Sequence, residues 1–75
     1  MRSLDQLKPG EAGVISSLSG EEDVLLRLME MGIIEGTPVT MVRYAPMGDP
    51  IEITARGYHL SIRRAEAAGV ILQDS

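Results

Sequence analysis

The segment "PIEITARGYHLSIRR" admits few folds. If Arg56-Gly57 is a two-residue hairpin loop, Ile51, Ile53 and Ala55 face Ile62, Leu60 and Tyr58 across a pair of strands, all on one side. Glu52, Thr54, His59 and Ser61 then share the other side. A slip of one residue would send every apolar side chain to the wrong face, so the alternation specifies its own register. Arginine is not a favoured residue at the first position of a loop that needs positive φ, and the turn type stays open.

The rest of the chain reads as elements packed around this ribbon. Leu4 and Leu7 make a short apolar lead-in, closed by a Pro9-Gly10 turn. In "AGVISSL", residues 12 to 18, Val14, Ser16 and Leu18 fall on one face of a strand, with Ile15 and Ser17 on the other. Ser19 and Glu22 then have capping-box spacing, and Glu21, Glu22 and Asp23 carry negative charge where a helix N-terminus favours it. Gly32 suits the C′ position that ends the helix. Between these signals Leu25, Leu28 and Met29 form the i, i+3, i+4 stripe of a helix of about three turns. Val24, Leu26 and Met31 widen it beyond what one buried face requires, so the surplus either packs on flanking segments or forms an apolar contact surface. A strand from Val39 to Tyr44 follows, with Val39 and Met41 on one face and Val42 and Tyr44 on the other. After the hairpin, "RRAEAAG" gives a single helical turn, and "VILQ" a last strand.

About five short strands in 75 residues, with one helix inserted after the first, predict a mainly-β domain spanning 1–75 that curls into a small barrel. A flat sheet would leave its edges exposed. A domain of this size buries only about 60% of its unfolded surface. Cysteine is absent, so neither disulfides nor thiolate metal sites supplement the core, and a reducing, cytoplasmic setting is expected. No apolar run has the length of a secretory signal or a membrane span. The net charge is −4, with three basic and seven acidic residues in 1–36 and four of each in 37–75.

The loop "APMGDP" joins the second strand to the hairpin. Ala45-Pro46-Met47-Gly48 fits a type I turn, with proline second and glycine fourth. Asp49 precedes Pro50 and is pushed to extended backbone, and Pro50 suits the start of a strand. Turn chemistry accounts for every residue except Met47, which is either incidental or an adaptable contact for a partner.

Other chemistry finds little support. His59, the only histidine, lies diagonal to Glu52 in the proposed register, and one imidazole with one carboxylate makes a poor metal site. Arg43, Arg56, Arg63 and Arg64 could form a basic strip. The negative net charge and the absence of Phe and Trp nevertheless argue against nucleic acid. No Walker-type loop, H-E-x-x-H or G-x-S-x-G is present, so no enzyme is expected.

"LKPGEAGVISSLSG", "RLMEMGIIEGTPV", "RYAPMGDPIEI" and "GYHLSIRRAEA" together resemble the FeoA family of small proteins associated with bacterial ferrous iron uptake. The similarity covers nearly the whole chain. Its most specific parts are Arg27-Leu28, Met31-Gly32-Ile33, Gly36, Arg43, Ala45-Pro46, Gly48-Asp49-Pro50, and Leu60 with Arg63 and Glu66-Ala67. The resemblance implies an SH3-like barrel and a non-enzymatic, cytoplasmic accessory that binds the GTPase domain of the transporter FeoB, peripheral to the inner membrane through that partner. Partner-binding candidates are then Met47, Gly48, Asp49, Leu26, Met31 and Arg43, with self-association left open. The resemblance links the chain to Fe(II) and to transition-metal binding through the pathway, whereas the residues offer only His59 and Glu52 as weak ligands and no evident cofactor site. The alternatives are a relative of the C-terminal domain of DtxR-type metal-dependent repressors and a small nucleic-acid-binding barrel. Met1 to Ser75 without DNA-binding helices reads as the stand-alone form.

Overall fold

The hairpin forms in the expected register. In the computed structural model, which describes residues 2–73, Ala55 pairs with Tyr58, Ile53 with Leu60 and Ile51 with Ile62. Arg56 and Gly57 both have positive φ, 55° and 82°, the geometry of a type I′ turn. Such a turn matches the twist of the strands it joins, and Arg56 accepts the left-handed backbone to provide it.

In chain order, a 3₁₀ turn at Leu4–Gln6 precedes β1 (Ala12–Leu18), α1 (Glu22–Glu30), β2 (Pro38–Tyr44), β3 (Ile51–Ala55), β4 (Tyr58–Ile62), α2 (Arg64–Ala67) and β5 (Val70–Leu72). The strands form one sheet in the order β4-β3-β2-β1-β5, with every neighbour antiparallel. The mainly-β class and the helix after the first strand are as expected. The sheet bends without closing, because β4 and β5 do not pair.

Two bulges correct the faces expected from simple alternation. In β1, Ile15 pairs with Leu72 and Ser17 with Ile71, so Ser16 is an extra residue. Leu18 therefore turns to the side of Ile15 and packs on the core, instead of sharing a face with Val14. In β2, Met41 pairs with Ile53 and Arg43 with Glu52, so Val42 is extra and Tyr44 joins Met41 on the core side. Bulges add twist and bend a strand. β1 shows the result, giving residues 12–14 to β2 and residues 15–18 to β5.

The helix signals are partly corrected too. The N-cap is Glu21, with no side-chain cap bond, so the Ser19 capping box does not form. Ser19 instead donates its N–H to the Gly69 carbonyl at 2.8 Å and points its hydroxyl at the same oxygen. A tertiary contact fifty residues away has replaced the local cap. At the other end the Gly32 signal holds: Gly32 has φ +88°, and the N–H groups of Gly32 and Ile33 donate to the carbonyls of Met29 and Leu28, both at 3.0 Å, closing a Schellman motif.

The buried helix stripe is Leu28, flanked by Val24 and Met31. Met29, expected inside with Leu25 and Leu28, faces outward. Leu4, Leu7, Ile15, Leu28, Ile33, Met41, Ile51 and Ile53 are fully buried, an aliphatic core beneath the bent sheet. The lead-in thus covers one end of the core, and Leu72 donates to the Arg2 carbonyl at 2.8 Å to fix it there.

Candidate functional site

The loop that follows β2 is held from three directions. Gly48 donates to Ala45 at 2.7 Å, closing the expected turn, and has the positive φ, 86°, that glycine tolerates. Ala45 donates to the Pro50 carbonyl at 3.0 Å across the base of the loop. Asp49 accepts the Arg64 N–H at 2.9 Å and so satisfies a free donor at the start of α2. Gly48 and Asp49, both partner candidates, thus have internal work. Met47 has none: it stands 92% exposed at the tip.

Tyr44 anchors the base of this region. Its hydroxyl donates to the Leu7 carbonyl, and the Arg64 guanidinium lies over its ring at 5.0 Å. The loop, α2 and the N-terminal lead-in are joined through one residue whose face the bulge at Val42 determines.

The remaining candidates are spread over the surface. Leu26 is 53% exposed on α1, whereas Met31 is half-buried against the core. Arg43 is exposed and pairs with Glu52 across the strands at 2.9 Å, so Glu52 is engaged with an arginine rather than with His59. His59 is exposed and stands opposite Thr54, as the register predicts. Among the described residues no three His, Cys, Asp or Glu side chains converge as a metal site requires.

The structure adds residues that sequence reasoning missed. Met29, 44% exposed, and Tyr58, 71% exposed, extend the accessible apolar surface. Tyr58 points to the core side of the ribbon but stands at its tip beyond the core, a position the adjacent two-residue turn could have signalled. A groove of about 330 Å³ also runs between α1 and the end of β4, lined by Arg27, Met31, Pro50, Ile62 and Arg63 among others. Met31 and Pro50 meet there, while Leu26 and Met47 lie outside it. Arg27 reaches across to an ion pair with Glu66, linking α1 to α2. Among the described residues no helix is long and apolar enough to cross a membrane.

Comparison with known proteins agrees with this architecture. The FeoA domain family matches residues 2–74. A fusion of Fe(2+) transport protein A with the Fe(2+) transporter FeoB, from Porphyromonas gingivalis, is 34% identical over 67 residues; these span 89% of this chain and 8% of that protein. The FeoA protein of Chlorobium tepidum is 38% identical, with a TM-score of 0.89 over 95% of this chain and 68% of its own. The zinc-complexed FeoA of Stenotrophomonas maltophilia, described as an SH3 domain protein, is 25% identical, with a TM-score of 0.83 over 97% of this chain and 91% of its own. The manganese regulator SloR shares the fold at 12% identity, with a TM-score of 0.80 over 97% of this chain and 34% of its own. The bent sheet with a helix after its first strand is therefore the SH3-like arrangement, and the chain belongs to the FeoA domain family.

Proposed function

We propose that this chain is a non-enzymatic accessory of ferrous iron uptake that works in the cytoplasm by binding the GTPase region of FeoB, and that the partner holds it near the inner membrane. The observation that carries this reading is the Porphyromonas gingivalis relative, in which a segment similar to this chain is fused to the transporter. Covalent linkage gives two modules a high effective concentration for each other, an arrangement that favours modules that work in contact. The contact surface is the apolar material the core does not use, Met47 at the loop tip and Leu26 on α1. Flexible, polarizable methionine adapts to a partner's shape. Catalysis has no place in this reading, because the surface offers contact rather than a reactive group.

Titration calorimetry of the chain against the isolated cytoplasmic region of FeoB tests it. Met47→Asp is expected to weaken binding at least tenfold, about 1.4 kcal/mol, with an unchanged melting temperature, because Met47 supports nothing inside the fold. Wild-type affinity in that variant would return the loop to a well-made turn, and no binding by the wild-type chain would remove the reading.

A further inference from the structure

Strand β4 carries a second, different opportunity for recognition. In an antiparallel ladder, alternate residues bond inward and outward. Ala55 and Tyr58 flank the two-residue turn and exchange both bonds, so Leu60 and Ile62 also bond to β3. His59 and Ser61 therefore turn their N–H and C=O groups to the open side. Both are exposed, and among the described residues no backbone bond reaches them.

The open edge runs along a groove whose chemistry is set by arginine. Ser61 and Ile62 line it from β4, Arg27 from α1 and Met31 from the cap that ends α1, with Pro50, Arg63 and Glu66 completing it. Arg56 precedes β4 and lays its side chain beside Gly32 at the end of α1, whereas Arg64 turns away to the Tyr44 ring. Glu66, the acidic group in the groove, is already engaged by the Arg27 side chain and by the Arg63 N–H at 3.1 Å. Three of the seven basic residues, Arg27, Arg56 and Arg63, thus lie at this edge of a chain whose net charge is −4.

We propose that the β4 edge receives an extended, acidic segment of a partner protein as a sixth strand. The main chain of that segment bonds to His59 and Ser61, its carboxylates meet Arg56 and Arg63 at the two ends, and an apolar side chain lies against Met31 and Pro50. Strand addition of this kind takes affinity from backbone bonds and specificity from the neighbouring side chains. Charge decides the occupant: a second copy of β4, paired antiparallel with His59 opposite Ser61, would bring Arg56 of each chain beside Arg63 of the other, one position from direct opposition, and like charges so close destabilise a ladder. The surface is separate from Met47 and Leu26, and its occupancy does not depend on FeoB being the partner of those residues.

The test is amide chemical-shift mapping on the isotope-labelled chain, with a blocked octapeptide of alternating Glu and Val as probe. The expected result is saturable shifts at His59 and Ser61 that weaken at least about tenfold with a Lys–Val peptide or in Arg63→Glu. N-methylation of alternate peptide amides is expected to abolish binding. So is Ser61→Pro, which removes an outward N–H that the sheet does not use and is tolerated at an edge; unchanged β2 and β3 amides report that the variant is folded. No shift at His59 or Ser61 at millimolar peptide would overturn the proposal, as would equal binding of the Lys–Val peptide or of the N-methylated one. Concentration-dependent shifts along β4 without peptide would assign the edge to a second copy and overturn it as well.

Discussion

Along β5 the outer edge of the sheet is taken up by the start of the chain: Leu72 donates to Arg2, Ser3 bridges Ile71, and Leu4 and Leu7 are sealed beneath. Along β4 the equivalent groups of His59 and Ser61 meet no other segment among the described residues. An unpaired edge invites unwanted strands, and proteins cover it, shorten it or guard it with charge. This molecule covers one edge with its own chain and guards the other with arginine. Burial follows the same division. In β5 both Val70 and Leu72 are buried, whereas in β4 burial falls from Ile62 through half-buried Leu60 to Tyr58 at the tip. Burial is the more complete at the closed edge, and the open edge is the more accessible to another strand.

The largest expected effect that would break this comparison lies at Gly69, on the closed side. A Cβ there would sit 2.1 Å from the Ser19 carbonyl oxygen, and the atom in its way is backbone, held by the bond between Ser19 and Gly69. Neither group can swing aside. Gly69→Ala is expected to cost about 3 kcal/mol, at the upper end for overpacking, read by urea denaturation. A loss below about 1 kcal/mol would mean that the closed side yields easily.

A paired measurement sharpens the contrast, and what it reads is the smaller difference between two variants, about 2 kcal/mol. Leu4→Ala removes a fully buried side chain under the closed edge and is expected to cost about 3 kcal/mol. Leu60→Ala, in the half-buried part of β4, is expected to cost about 1 kcal/mol. Equal losses would erase the distinction between the edges.

How much of this was legible depends on whether a feature is local. The hairpin was, because a two-residue turn and a period of two fix the register without reference to the rest of the chain. So was the helix end at Gly32, where backbone conformation alone selects the residue. The faces of Leu18 and Tyr44 were not: each depends on one extra residue, Ser16 or Val42, and an alternation pattern cannot say where a ladder skips. Ser19 misled for a related reason, since its hydroxyl suits a helix cap but its backbone was needed by Gly69. Met29 reads as inward because Leu25 and Leu28 share its spacing, while the core takes the stripe of Val24, Leu28 and Met31. For the candidate site, Met47 was legible as the one loop residue that turn chemistry did not require. The β4 edge was illegible, because which strand ends a sheet is a property of topology.

The smallest effect concerns the charge that helps hold the lead-in to the closed edge. Glu11 accepts the Lys8 N–H at 2.7 Å and lies 3.5 Å from the Arg2 guanidinium, on the residue whose carbonyl receives Leu72. The Lys8 hydrogen bond first, and then the positive charges of Arg2 and Lys8, hold its carboxyl below the ordinary value of 4.5. Because the folded value lies below the unfolded one, the ionised group stabilises the fold at any pH above the unfolded value, and that contribution fades as pH falls through the folded one. Glu11 is exposed, so solvent and salt screen the effect. Glu11→Gln keeps an oxygen to accept the Lys8 N–H and removes only the charge. Its melting temperature is expected to fall slightly below wild type at neutral pH, with the difference closing as the pH is lowered through the carboxylate range. A difference that persists unchanged in acid would show that Glu11 acts through shape and hydrogen bonding alone, and that charge has no part in fastening the closed edge.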